Sequence, residues 1–171
     1  MKKLISGAAA LALTALVTAP AQAVTPATQA TASAKIYRPL TISFVQNLDF
    51  GTIVLSGAGA WSGEVVSIDQ AGALTCGGGA NLTCSGAPQA AKYHLVGTNN
   101  AVVTVSSPGF NLTGPGASTL AFTPNAPATV NLGAAGSSTG VDFGVGGSIT
   151  LASTTPDGLY SGTFNVTANY Q

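Results

Sequence analysis

Past residue 24 the apolar positions come in short runs. They alternate with hydroxyl and amide side chains and are broken by Gly, Pro and Asn. No long stretch shows the three-to-four-residue spacing of an amphipathic helix. The runs predict strands at 40–44, 48–55, 63–68, 91–96, 102–106, 119–123, 128–132, 148–152 and 159–170. Turn signals separate them, among them Asn99-Asn100, Ser107-Pro108-Gly109, Gly114-Pro115-Gly116 and Pro156-Asp157-Gly158. Many short strands at this spacing predict an all-β sandwich or barrel, and the length suits one domain. No internal repeat is visible.

Two segments differ from the rest. The last run places Tyr160, Gly162, Phe164, Val166, Ala168 and Tyr170 on one face and Ser161, Thr163, Asn165, Thr167 and Asn169 on the other. That period of two predicts a long, half-buried terminal strand that no later strand covers. Near the other end, Ala30, Ala32, Ala34 and Ile36 alternate with Thr31, Ser33, Lys35 and Tyr37. This arm has strand character, and Pro39 partly detaches it from the strand that follows. Residues 24–37 could extend to roughly 45 Å, enough to reach another molecule.

The first 23 residues read as an address. Lys2 and Lys3 precede an apolar run from Leu4 to Val17, then Pro20 and the small-x-small site Ala21-Gln22-Ala23. This is the three-part pattern of a secretory signal peptide. The run is shorter than the ~20 residues of a membrane span, and no later stretch approaches that length. The expected organisation is a signal peptide at 1–23, an arm at 24–37 and a β-domain at 38–171.

Composition narrows the function. Apolar residues make up 46% of the chain, enough to bury a core, and charged residues only 6%, against roughly 25% in an average soluble domain. Residues 24–171 keep three cations, Lys35, Arg38 and Lys92, against five carboxylates, Asp49, Glu64, Asp69, Asp142 and Asp157. A chain with no basic surplus lacks the electrostatic footprint of a nucleic-acid binder. One His and two Cys cannot build a His-rich or thiolate zinc site, so no metal or other cofactor is expected. In an oxidising compartment Cys76 and Cys84, eight residues apart in a Gly-rich stretch, are expected to form a disulfide.

Enzyme signals are weak. Gly136-Ser137-Ser138-Thr139-Gly140 has the form G-x-S-x-G, but no helix follows it and the only His, His94, precedes it. His94 lies in a strand-like run and reads as a strand residue. The carboxylates are scattered, with no close pair for calcium or glycosidase chemistry. Asp49 reads as a turn former. Trp61 is either a core anchor or a loop aromatic that touches a ligand. The expectation is that the protein is not an enzyme.

The segment Ala30-Thr-Ala-Ser-Ala-Lys-Ile-Tyr-Arg-Pro-Leu-Thr-Ile42, followed by Leu48-Asp-Phe-Gly-Thr-Ile53, resembles the start of a pilin-like family of exported bacterial proteins that carries no assigned function. The ending Pro156-Asp-Gly-Leu-Tyr160-Ser-Gly-Thr-Phe-Asn-Val-Thr-Ala-Asn-Tyr170 resembles the closing strand of that family. It is also similar to that of fimbrial major subunits of the alternate chaperone–usher type and of the spore coat protein U group. The resemblance implies an immunoglobulin-like β-sandwich that lacks its final strand. It further implies a periplasmic chaperone and an outer-membrane usher as partners, and self-assembly into a surface fibre. Carried onto this chain, the donor strand is Ala30, Ala32, Ala34 and Ile36, and the acceptor edge is Tyr160, Phe164, Val166, Ala168 and Tyr170. Three of the four donor side chains are Ala, each burying far less than Val or Leu at ~25 cal/mol per Å². The competing reading is a self-complete, monomeric secreted or surface module with a binding or adhesive role. The two differ in whether residues 24–37 fold back onto their own domain.

Overall fold

A computed structural model describes residues 27–56 and 58–171. The expected signal peptide and its cleavage residues Ala21 and Ala23 lie outside the described residues. The chain divides into two units between Lys35 and Ile36. In the first, residues 27–35 carry no regular secondary structure. The second, Ile36–Gln171, is an all-β sandwich of curled antiparallel sheets. Tyr37, expected in the arm, belongs to it.

The domain's strands are β1 (Thr41–Gln46), β2 (Thr52–Leu55), β3 (Ser62–Ile68), β4 (Leu74–Cys76), β5 (Leu82–Ser85), β6 (Ala91–Val96), β7 (Val102–Ser106), β8 (Phe110–Thr113), β9 (Thr119–Asn125), β10 (Thr129–Asn131), β11 (Val141–Ala152) and β12 (Thr167–Tyr170). One sheet runs β1-β6-β11-β3-β4, with β9 also on β11 and β8 on β9. A second runs β10-β7-β12, and β2 pairs β5 in a third. All ladders are antiparallel.

Strand β11 organises the fold. Its first half pairs β6 from Val141 to Val145; its second half pairs β9 and β3. The alternation that makes a half-buried strand is obscured there by Gly144, Gly146 and Gly147, so the sequence predicts only 148–152. The glycines answer to close backbone approach. A Cβ on Gly144 would run into the carbonyl of Gln70, and one on Gly146 into that of Ile68.

The core forms two clusters. One gathers Leu95, Val103, Leu132 and Val145, each without exposed surface. The other gathers Val66, Leu120, Phe122, Ile149 and Leu151. Leu48 and Phe164 pack against both. Trp61 packs on the second and donates its indole N–H to the Ser56 carbonyl at 3.4 Å, so of its two readings the core anchor holds.

Cys76 and Cys84 are joined, with Cα atoms 5.9 Å apart. The bridge links the last residue of β4 to Cys84 within β5 and closes the Gly-rich loop between the two strands. Glu64 clamps the same loop: one carboxylate oxygen accepts the Gly78 N–H at 3.3 Å, the other the Asn81 side-chain amide at 3.0 Å. Replacing both cysteines with Ser is expected to cost about 2–3 kcal/mol, from the entropy of an open loop of this length. Denaturant unfolding of the two forms checks it, and coincident curves would show the bridge to be neutral. Leu95→Ala leaves a hole in the sealed first cluster and is expected to cost roughly 2–5 kcal/mol in the same assay.

Candidate functional site

An apolar groove of about 890 Å³ opens on the domain's surface. One wall is the stretch from Asn47 to Leu55, including β2. The facing wall is the approach to the terminal strand, from Thr155 to Phe164. Leu120, Phe122, Ile149 and Leu151 are the buried part of its lining. Aromatic rings knit the walls together. Phe122 meets Phe50 edge-on at 6.1 Å, Phe110 at 5.1 Å and Phe164 at 5.6 Å, and Phe164 stacks on Phe110 at 5.8 Å. Offset and tilted ring pairs of this kind add to the area they bury.

The terminal strand is where the structure departs most from a simple ladder. The sequence predicts one strand over 159–170. Only β12, its last four residues, pairs β7, and upstream a single bridge joins Ser161 to Thr113. Residues 162–166 make no backbone–backbone hydrogen bond among the described residues. Yet the side chains keep the period of two: Phe164, Val166, Ala168 and Tyr170 are half-buried and the residues between them exposed. This unladdered stretch is held by what flanks it and by its own apolar face.

Upstream the anchor is Tyr160. Its hydroxyl donates to the Pro156 carbonyl at 2.8 Å and accepts from the Ser118 hydroxyl at 3.2 Å. Its ring lies over Gly114, where a Cβ would collide with it. The Gly-x-Tyr-Ser-Gly ending is thus the seat that fixes the start of the terminal strand on the β8–β9 turn. Downstream the anchor is Tyr170. Its hydroxyl accepts the Thr98 N–H at 2.7 Å and donates to the Arg38 carbonyl at 2.9 Å. Its ring stacks on Tyr37 at 4.4 Å, nearly parallel, and the Tyr37 hydroxyl donates to the Gln171 carbonyl at 3.2 Å.

The expected acceptor residues therefore divide. Tyr160 and Phe164 line the groove. Val166, Ala168 and Tyr170 share their face but pack on the first core cluster. The expected donor residues Ala30, Ala32, Ala34 and Ile36 belong to no strand and are exposed, Ile36 at 87%.

The remaining candidates resolve locally. Asp49 accepts the Gly51 N–H at 2.8 Å, a side-chain-closed turn as expected. His94 and Asp142 are register partners on β6 and β11, with Nδ1 and Oδ1 2.5 Å apart. The Ser138 hydroxyl donates to Ala135 inside its own turn. No cluster of three metal-ligating side chains occurs among the described residues, and no helix there is long and apolar enough to cross a membrane. The Tyr160 and Tyr170 anchors and the Glu64 clamp were missed by sequence reasoning. The glycines spaced around Tyr160 were the one available signal.

The fold and the groove define a small all-β sandwich with an apolar cleft beside the segment that leads into its terminal strand. Over residues 40–170 the chain matches the family described as Domain of unknown function (DUF4402), and it belongs to that family. No curated protein and no solved structure matches it.

Tyr160→Phe removes two hydroxyl hydrogen bonds and keeps the ring. It is expected to lower stability by about 1–3 kcal/mol, read by denaturant unfolding, and to raise hydrogen exchange in the 156–162 segment. Unchanged exchange there would deny the hydroxyl its anchoring role.

Proposed function

We propose that this protein is an exported, pilin-like structural subunit, with no enzymatic role, that polymerises by donor-strand exchange into a fibre at the cell surface. Its immunoglobulin-like sandwich is short of one strand. The apolar groove receives the N-terminal arm of a neighbouring copy. The observation that carries the reading is the run 162–166, which has an apolar face on the core, no ladder partner, and an open cleft beside it. An unpaired edge of this kind is normally an aggregation hazard; here it is the assembly device. An added strand gains affinity from main-chain hydrogen bonds and specificity from alternate side chains. The arm supplies such a strand, exposed and outside every ladder. The contact is head-to-tail, so its repetition builds an open filament. A periplasmic chaperone would cover the groove in transit, and an outer-membrane usher would order the exchange. The likeness of the ending, residues 156–170, to the closing strand of fimbrial major subunits supports these partners.

The test uses residues 24–171 and the arm-deleted form 36–171, which keeps Tyr37 in its stack on Tyr170, both exported to the periplasm. The longer form is expected to yield multimers on size exclusion and the shorter to be an unstable monomer. A peptide of residues 27–37 in hundredfold excess over its dissociation constant should stabilise the shorter form by about 2.7 kcal/mol, raising its melting temperature by several degrees. A longer form that stays monomeric, with a cooperative melt indifferent to arm deletion and to peptide, would overturn the proposal in favour of a self-complete module.

A further inference from the structure

The groove carries charge of one sign on its apolar frame. Two of the five carboxylates in residues 24–171 line it, Asp49 on the first wall and Asp157 on the second, and both residues are exposed. No Lys, Arg or His lines it among the described residues. Neither carboxylate enters an ion pair there. Between them the rings of Phe50, Phe110, Phe122 and Phe164 form one cluster. The face of such a ring is negative and attracts a cation within ~6 Å of its centre. A cleft lined by one sign of charge, with low-dielectric walls, concentrates ions of the other sign.

Both walls are set before anything binds. Asp49 and Gln89 exchange backbone hydrogen bonds at 2.9 and 2.8 Å, and the Asp49 side chain holds the Gly51 N–H. The opposite wall is held by the Tyr160 hydroxyl, bonded to Pro156 and Ser118. A site built in advance loses less freedom on binding. The groove's volume of about 890 Å³ lies within the roughly 300–1,000 Å³ of small-molecule clefts. The arm does not account for that volume, because Ala30, Ala32 and Ala34 end in methyl groups.

The geometry points to a lipophilic cation as a ligand of this groove, an elongated apolar molecule with a positively charged head. Its apolar body lies on the ring cluster and on Leu120, Ile149 and Leu151, which are buried beneath it. Its head is answered by the carboxylates of Asp49 and Asp157. A donor strand is drawn to the backbone of 162–166, whereas this ligand is drawn to the groove's side chains. The inference therefore stands apart from the assembly reading.

The test measures binding of three decyl amphiphiles to monomeric residues 24–171, each below its micelle concentration: decyltrimethylammonium, decyl glucoside and decyl sulfate. The ammonium is expected to bind saturably and at least ~tenfold more tightly than the sulfate, with the glucoside between them. Rising salt should narrow that difference. D49N/D157N removes both charges and keeps an oxygen for the Gly51 N–H, and should bring the three affinities within about threefold of one another. Leu159→Arg, at a groove-lining side chain that is 82% exposed, should weaken the ammonium and strengthen the sulfate. Absence of saturable ammonium binding, or equal affinity for the sulfate, overturns the inference. So does an ammonium preference that D49N/D157N leaves intact. A melting temperature identifies any variant that fails to fold, and then the affinity order and its salt dependence in the unsubstituted chain decide. Arm-dependent multimers without ammonium binding would overturn this inference and leave donor-strand exchange standing. Ammonium binding by a chain that stays monomeric would do the reverse.

Discussion

A terminal strand must hold its place across residues 162–166 without a ladder on either side, and much of the architecture answers to that constraint. Backbone groups in a folded interior find partners, and those of 162–166 find none on the backbone among the described residues. Side chains position the segment instead. Tyr160 is seated in the Gly114 turn upstream, Tyr170 is stacked and doubly bonded downstream, and Phe164 is wedged among rings midway. The result is an edge fixed at both ends, so that a strand added there, as proposed, would meet a pre-organised partner.

The long strand β11 supplies the other half of this arrangement. It passes from the ladder with β6 to those with β9 and β3, and its inward residues serve both core clusters: Val145 in one, Ile149 and Leu151 in the other. The second pair also lines the groove. The cleft is thus an unfilled margin of the second cluster rather than a separate pocket.

How legible this was depended on the interaction involved. Strands whose neighbours lie on one exposed face were readable: β6 and β7 have the bounds that their alternation predicts. The period of two in the terminal strand was readable as well, because it records which face is apolar. Pairing was not, since alternation says nothing about whether a ladder exists, and the predicted strand 159–170 shrank to β12 and one bridge. Three short strands, β4, β5 and β8, were overlooked because three or four residues carry too little pattern. The first half of β11 was hidden by glycines, two of which, Gly144 and Gly146, are there for the backbone of residues 68–70, a contact distant in sequence. At the site, the residue types were visible but not their partners: nothing local to Tyr160 or Tyr170 tells that their hydroxyls reach Pro156, Ser118, Thr98 and Arg38.

The scarcity of charge and the unladdered arm together shape how this protein meets a protease. Trypsin cleaves after Lys or Arg unless Pro follows, and residues 24–171 offer only Lys35, Arg38 and Lys92. Arg38 precedes Pro39. Lys92 lies in β6, flanked by β1 and β11, where the backbone cannot enter a protease cleft without local unfolding. The folded domain therefore presents a single scissile bond, at the root of the arm, and its survival or loss reports whether that arm is covered.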